Sequence, residues 1–175
     1  MEQASILPPI APPPLTTGRP PAEDLYGRWL FMVYGTPVPQ GSMKATVHRQ
    51  TGRVVMFPSN NVMLKAWRNT IAREAAVRKP AWLREPWDGP VWVSYTYVFE
   101  RSRNDYLADG ISLRSGARRY PDVAPDKDKL DRAVNDALTG IAFTNDGRIV
   151  AGPSEKRYGA PGEPAHVEIE IALLR

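Results

Sequence analysis

The chain has 175 residues, no cysteine, and a formal net charge of +4 with a sequence pI of about 9.5. That length suits one domain with a real hydrophobic core, the missing cysteines exclude disulfide scaffolds and zinc–thiolate sites, and His48 and His166 have no metal-ligand spacing. No apolar run of about twenty residues is present to span a membrane and no signal-peptide start is seen, so a cytoplasmic protein is expected; the basic balance leans toward phosphate polymers, although solubility alone also accounts for it.

Residues 1–24 are dominated by prolines and show no hydrophobic periodicity. Proline neither continues a helix nor donates to a ladder, so this segment reads as a disordered tail ahead of a folded domain at 25–175. "RWLFMVYG" (28–35) is a short apolar run closed by Gly35 and predicts a buried strand. "GTPVPQGSMK" (35–44) is punctuated by proline and glycine and must be loop, and "ATVHRQTGRVVMF" (45–57) predicts a hairpin turning at "QTG". A first helix is expected over 58–79, capped by Ser59, Asn60 or Asn61, stopped by Pro80, and burying a stripe of Met63, Trp67, Ile71 and Ala75.

"PVWVSYTYVFE" (90–100) alternates as a strand should, with Val91, Val93, Tyr95, Tyr97 and Phe99 on one side and Ser94 and Thr96 on the other. The stretch 101–124 is polar, irregular and rich in arginine, the mark of either a solvated loop or a loop that meets phosphates. A second helix is predicted from about Lys127 to Leu138, with Leu130, Val134 and Leu138 in register, Ala133 and Ala137 beside them, and Gly140 as its left-handed end. After the "IAFTNDG" turn, 148–158 reads as a strand, and 166–174 as a closing strand whose Val167, Ile169, Ile171 and Leu173 face the core. The fold class expected is α/β in the α+β sense: a mixed or mostly antiparallel sheet of about five strands with two main helices.

The chemistry-bearing stretch is "PDKDKLDRAVNDALTG" (125–140). Singly, each aspartate has an ordinary explanation. Asp126 or Asp128 could start the helix, Asp131 favours its dipole, and Asp146 sits in an Asp–Gly turn. Together, Asp126, Asp128 and Asp146 could converge if the strand after Asp146 pairs beside the helix start. Three such carboxylates would repel by several kcal/mol at an effective dielectric of ~20 and ~4 Å separation, a penalty that a hard divalent cation removes. Arg132 lies one turn after Asp128. It either forms an i, i+4 ion pair or stands free to stabilise charge on a scissile phosphate. Carboxylates, a metal ion and a cation are the parts of metal-assisted phosphodiester hydrolysis.

These residues resemble a known signature. Asp126, Asp128, Lys129, Leu130, Arg132, Ala133, Asp136, Ala137, Leu138 and Thr139, followed by Phe143, Asp146 and Val150, are similar to the core motif of the RusA family of Holliday junction resolvases. "GTPVPQGSMK", "LKAWR" (64–68) and "KRY" (156–158) fit the same family, and the resemblance spans roughly 28–174. Asn145 stands where many members carry the first of two aspartates, and Pro125 where some carry a basic residue. The resemblance implies a homodimeric endonuclease acting on branched DNA, the four-way junction, with Mg²⁺ as its cofactor and Mn²⁺ as an alternative ion. By position it makes Asp126, Asp128 and Asp146 the metal-binding catalytic carboxylates and Arg132 the catalytic cation. Lys44, Arg68, Arg118, Arg119, Lys129, Lys156 and Arg157 are the candidate DNA contacts, chosen for charge and place. The rival readings are a non-catalytic nucleic-acid-binding module and a restriction-type nuclease, the latter hinted at by Pro121–Asp122 but at odds with an acidic segment that leads into a helix.

Overall fold

A computed structural model describes residues 18–41, 43–47, 49–58, 61–118 and 120–175. In chain order its elements are β1 (Leu25–Tyr34), β2 (Met43–Val47), β3 (Val54–Pro58), α1 (Asn61–Arg78), β4 (Val91–Phe99), α2 (Lys127–Leu138), β5 (Ile149–Ala151), β6 (Ser154–Tyr158) and β7 (His166–Leu174). The main sheet is ordered β1-β7-β4, with β5 and β6 sharing the far edge of β4. β7 pairs antiparallel with both β1 and β4, whereas β5 and β6 run parallel to β4, so the sheet is mixed and the fold is α+β. β2 and β3 form a separate antiparallel pair, and the predicted "QTG" turn lies between them with Gly52 at φ +65°. No helix among the described residues is long and apolar enough to cross a membrane.

The period of two along each strand decides where the core sits. Trp29, Phe31 and Val33 of β1, Val91, Val93, Tyr95 and Tyr97 of β4, and Val167, Ile169, Ile171 and Leu173 of β7 all turn to one face. Both helices cover that face, α2 through Leu130, Val134, Ala137 and Leu138 and α1 through Trp67, Ile71 and Ala75. The expected stripe of α1 is shifted at its start: Met63 is 66% exposed and Leu64 is buried in its place. Leu64, Trp67 and Ile71 follow the i, i+3, i+7 pattern that 3.6 residues per turn demands, whereas a strict spacing of four drifts off the face. The predicted caps Ser59 and Asn60 lie outside the described residues.

The opposite face of the sheet carries a smaller apolar group of Trp92, Ala172 and Leu174 beside a charged one. There Glu170 is buried and accepts from Arg19 (2.8 Å) and Arg28 (2.6 Å). Ordered structure thus reaches back into the segment read as tail: Ala22–Asp24 form a single 3-10 turn, and Arg175 N donates to Asp24 O (3.0 Å). Residues 1–17 lie outside the described residues.

The single strand predicted over 148–158 is two strands. Gly152 breaks it at φ +139°, and a Cβ there would stand 1.5 Å from Val93 O. Only glycine lets the chain come this close to β4. Pro153 then offers its carbonyl to Tyr95 N (3.2 Å), and the parallel ladder resumes from Ser154 opposite Tyr95. Two parallel neighbours on one edge require a crossover, and α2 is that crossover.

Candidate functional site

Asp126 occupies the N-cap position of α2 with extended backbone angles, and Leu130 N donates to its carbonyl (3.2 Å). Its carboxylate does not cap the helix. It accepts from Lys129 Nζ (2.7 Å) instead. That hydrogen bond, the Lys129 charge and the more distant charge of Lys156 hold the Asp126 carboxyl below the usual carboxylate range, and Lys129 is raised in return. Asp128 and Arg132 are exposed, and neither makes a hydrogen bond or ion pair with any described residue, so the i, i+4 pair between them is not formed. The loop after β1 lies alongside: Gln40 N donates to Lys129 O (2.9 Å).

A polar network fixes this end of α2 to the sheet. Tyr97 donates to Asp131 Oδ1 (3.0 Å) and Tyr95 to Asn135 Oδ1 (2.6 Å). Ser154 Oγ donates to Asp131 Oδ2 (2.7 Å), and Lys127 Nζ reaches both Asp131 Oδ2 (3.1 Å) and Ser154 Oγ. Burial, reinforced by the Asp131 charge, pushes both phenols far up, so they remain donors. Sequence reading gave no role to Asp131 beyond the helix dipole, and nothing local in the sequence pairs it with tyrosines more than thirty residues upstream.

Asp146 lies elsewhere. α2 closes at Thr139, Gly140 turns at φ +80°, and Asp146 opens a 3-10 turn of three residues that leads into β5. That turn is gripped from the β4 side. Asp88 accepts from Thr144 Oγ1 (2.6 Å) and Arg148 Nη2 (2.7 Å), one residue on either flank of Asp146, and these donors keep the Asp88 carboxyl below its ordinary value. Asp88 is a further residue that no motif in the sequence marks. Asp146 itself is exposed and makes no hydrogen bond or ion pair with any described residue.

The contacts give the direction of α2 over the sheet. Asp131 meets Tyr97, Asn135 meets Tyr95, and the turn beyond the helix meets Asp88 just ahead of β4. α2 therefore runs antiparallel to β4, with Asp126 and Asp128 near the Phe99 end and Asp146 near the Val91 end. A helix of 12 residues is about 18 Å long. Within one chain the expected meeting of three carboxylates does not occur, and no group of three or more His, Asp or Glu among the described residues is placed to hold a metal ion. The reason is the register: the strand after Asp146 pairs with the start of β4, beside the end of α2 rather than its beginning.

The candidate DNA contacts separate in the same way. Lys129 is paired with Asp126, and Arg118 with Asp122 (2.9 Å). Arg68 bridges the helices, to Asp136 on α2 and to Gln40 Oε1 (3.3 Å). Lys156 donates to Val123 O (2.9 Å) and Pro125 O (3.0 Å). Arg157, the next residue on β6, points to the other face of the sheet, where Glu163 (2.8 Å) and Glu168 (3.1 Å) take its guanidinium. Lys44 lies on β2 opposite Phe57, and Arg119 is outside the described residues.

A mixed sheet with both helices on one face defines an α+β domain, and at the mouth of α2 stand acidic and basic side chains that pair with no described residue. The family model of Endodeoxyribonuclease RusA matches residues 35–172, and the chain belongs to that family. The family is one of endodeoxyribonucleases, hydrolases that resolve Holliday junctions in recombination. No curated protein matches the chain.

Proposed function

We propose that this protein is a Mg²⁺-dependent, homodimeric endonuclease that resolves four-way DNA junctions by paired phosphodiester hydrolysis, in DNA recombination and repair. The observation that carries the reading is which charges are left unspent. Along α2, Asp126, Lys127, Lys129, Asp131 and Asp136 all have ion-pair or hydrogen-bond partners, whereas Asp128 and Arg132 form neither with any described residue, and nor does Asp146 beyond the far end of the helix. Exposed carboxylates and a guanidinium without partners are available to a cation and a phosphate.

The donor set fits a hard ion: it consists of carboxylate oxygens, and the chain has no cysteine to offer a thiolate. Asp126 and Asp128 of one chain would hold Mg²⁺ together with Asp146 of a second copy. A twofold axis passing across the middle of α2 exchanges its two ends, so a single symmetry operation completes both sites at once. When bound, the ion would supply activation of water and neutralisation of phosphate charge. Arg132, one turn after Asp128, would face the charge that develops on the phosphate, and Lys129, here paired with Asp126, would yield that carboxylate to the ion. Two sites related by a twofold axis match the pseudo-symmetry of a junction, whose opposed strands are then both cut.

The test is cleavage of a fixed four-way junction against matched linear duplex, with Mg²⁺ and with EDTA. Junction-selective cutting that EDTA abolishes is expected, and Asp128→Asn should remove it while junction binding persists. Wild-type rates in Asp128→Asn would overturn the site assignment, and binding without any cutting would favour a non-catalytic DNA-binding module.

A further inference from the structure

We propose that Lys156 is a positioning residue for the Asp126–Asp128 half-site, fixing the backbone ahead of α2 and thereby the place of the first carboxylate; the proposal rests on the endonuclease reading above. Charge alone suggests that Lys156 binds a phosphate. Its geometry assigns it other work. Lys156 sits at the centre of β6, paired opposite Tyr97 of β4, so the sheet holds its backbone. Its Nζ donates to Val123 O (2.9 Å) and Pro125 O (3.0 Å), the carbonyls on either side of Ala124 and immediately before Asp126. Two of the three ammonium donors are thus spent on main chain.

The stretch so held has no regular structure to hold itself. Residues 121–126 are neither helix nor strand, and the hydrogen bonds described for Asp122 are local, to Tyr120 O (2.9 Å) and Arg118 (2.9 Å). On the other side of the corner, Ser154 of the same strand ties the first turn of α2 through Lys127 and Asp131. Ser154 and Lys156 are two residues apart and share a face of β6. One short strand therefore grips the chain both before and after Asp126, with Ser154 holding the helix and Lys156 the approach to it. A lysine in this place turns the rigidity of the sheet into a defined position for a carboxylate that would otherwise ride on a loop.

The experiment compares the full-length wild-type chain with Lys156→Met, which keeps the aliphatic stem and loses the donors, and with Lys156→Arg, which keeps charge and donors. Hydrogen exchange is read first, in EDTA and without DNA. Faster exchange over 122–129 in Lys156→Met, with 130–138 unchanged and protection regained in Lys156→Arg, is expected. Junction affinity in EDTA should stay close to wild type, while the Mg²⁺ concentration for half-maximal cutting rises by about tenfold, the lower end of what loss of an outer supporting contact costs a metal site. Unchanged exchange over 122–129, together with weaker binding and a salt slope shallower by about one, would make Lys156 a phosphate contact and overturn the proposal. Loosened exchange with an unchanged Mg²⁺ requirement would overturn it too, leaving a local tether. If Lys156→Met loses its cooperative melt, Lys156→Gln is measured in the same way, and unaltered exchange over 122–129 in that variant counts against the clamp. Because exchange is read without metal or DNA, its outcome is separate from that of Asp128→Asn, which tests the endonuclease reading itself.

Discussion

Mixing two inactive variants should restore cutting. Asp126 and Asp128 stand at one end of α2 and Asp146 beyond the other, and the 12-residue helix sets about 18 Å between them. Carboxylates that share a Mg²⁺ bind it at about 2.1 Å each, so their oxygens lie within about 4 Å of one another, far less than the length of the helix. Two copies related by a twofold axis would make each site from Asp126 and Asp128 of one and Asp146 of the other. Asp128→Asn and Asp146→Asn homodimers then both lack every intact site. A mixed dimer concentrates both defects in one site and leaves the other whole. Random pairing makes about half of the dimers mixed, each with one intact site of two, so about one quarter of wild-type sites return. The assay uses a junction labelled on each strand in turn, with denaturing gels to count cut strands and native gels to count resolved products. Strand cutting should return near that fraction, with single nicks prevailing over resolved duplexes. If differently tagged chains co-purify as mixed dimers and no strand is cut, the shared-site reasoning is refuted.

Other expectations concern stability and binding. Leu130 is fully buried between α2 and the sheet, so Leu130→Ala should cost about 2–5 kcal/mol, read from the denaturant midpoint at constant slope. The Arg157 guanidinium and the Ala160 N–H hold the Glu163 carboxyl down at about 2 from an ordinary 4.5. A depressed carboxylate stabilises the fold above its unfolded value and ceases to do so as pH falls through its folded one, so this contribution drains away from pH 4.5 toward about 2. In Glu163→Gln, melting temperature should therefore fall less steeply over that window; a parallel profile would argue against the pairing. Junction binding should weaken steeply with added salt, as counterion release requires, and a flat response would argue against contact with the phosphate backbone.

The parts of the fold that repeat along the chain are legible in the residues themselves. α2 occupies the predicted 127–138 because Leu130, Val134 and Leu138 fix its phase and Gly140 its end. β4 and β7 follow from simple alternation. The phase of α1 was harder to read, because Met63 and Leu64 are both apolar and a stripe can begin at either. Gly152–Pro153 is visible as a breaker, but the need for glycine comes from Val93 O, a contact that only the folded sheet creates. The site divides along the same line. Asp126 and Asp128 stand out in the sequence as a close pair at a helix mouth and Asp146 as an Asp–Gly turn, whereas the end of β4 to which the chain returns is a non-local choice that no spacing records. Asp88 belongs to this second kind, since its hold on the Asp146 turn depends on two segments separated by more than fifty residues.

On the proposed site assignment, the length of α2 becomes a functional dimension. With the proposed ligands divided between its two tips, the helix would act as a gauge bar. One inserted residue would turn the tips by about 100° relative to each other, and a whole extra turn would part them by about 5 Å. Loops such as 101–124 can grow or shrink without such a penalty. Insertions and deletions in relatives that cut DNA should therefore spare this helix, and any that alter it should be matched by a shift in how the two copies meet.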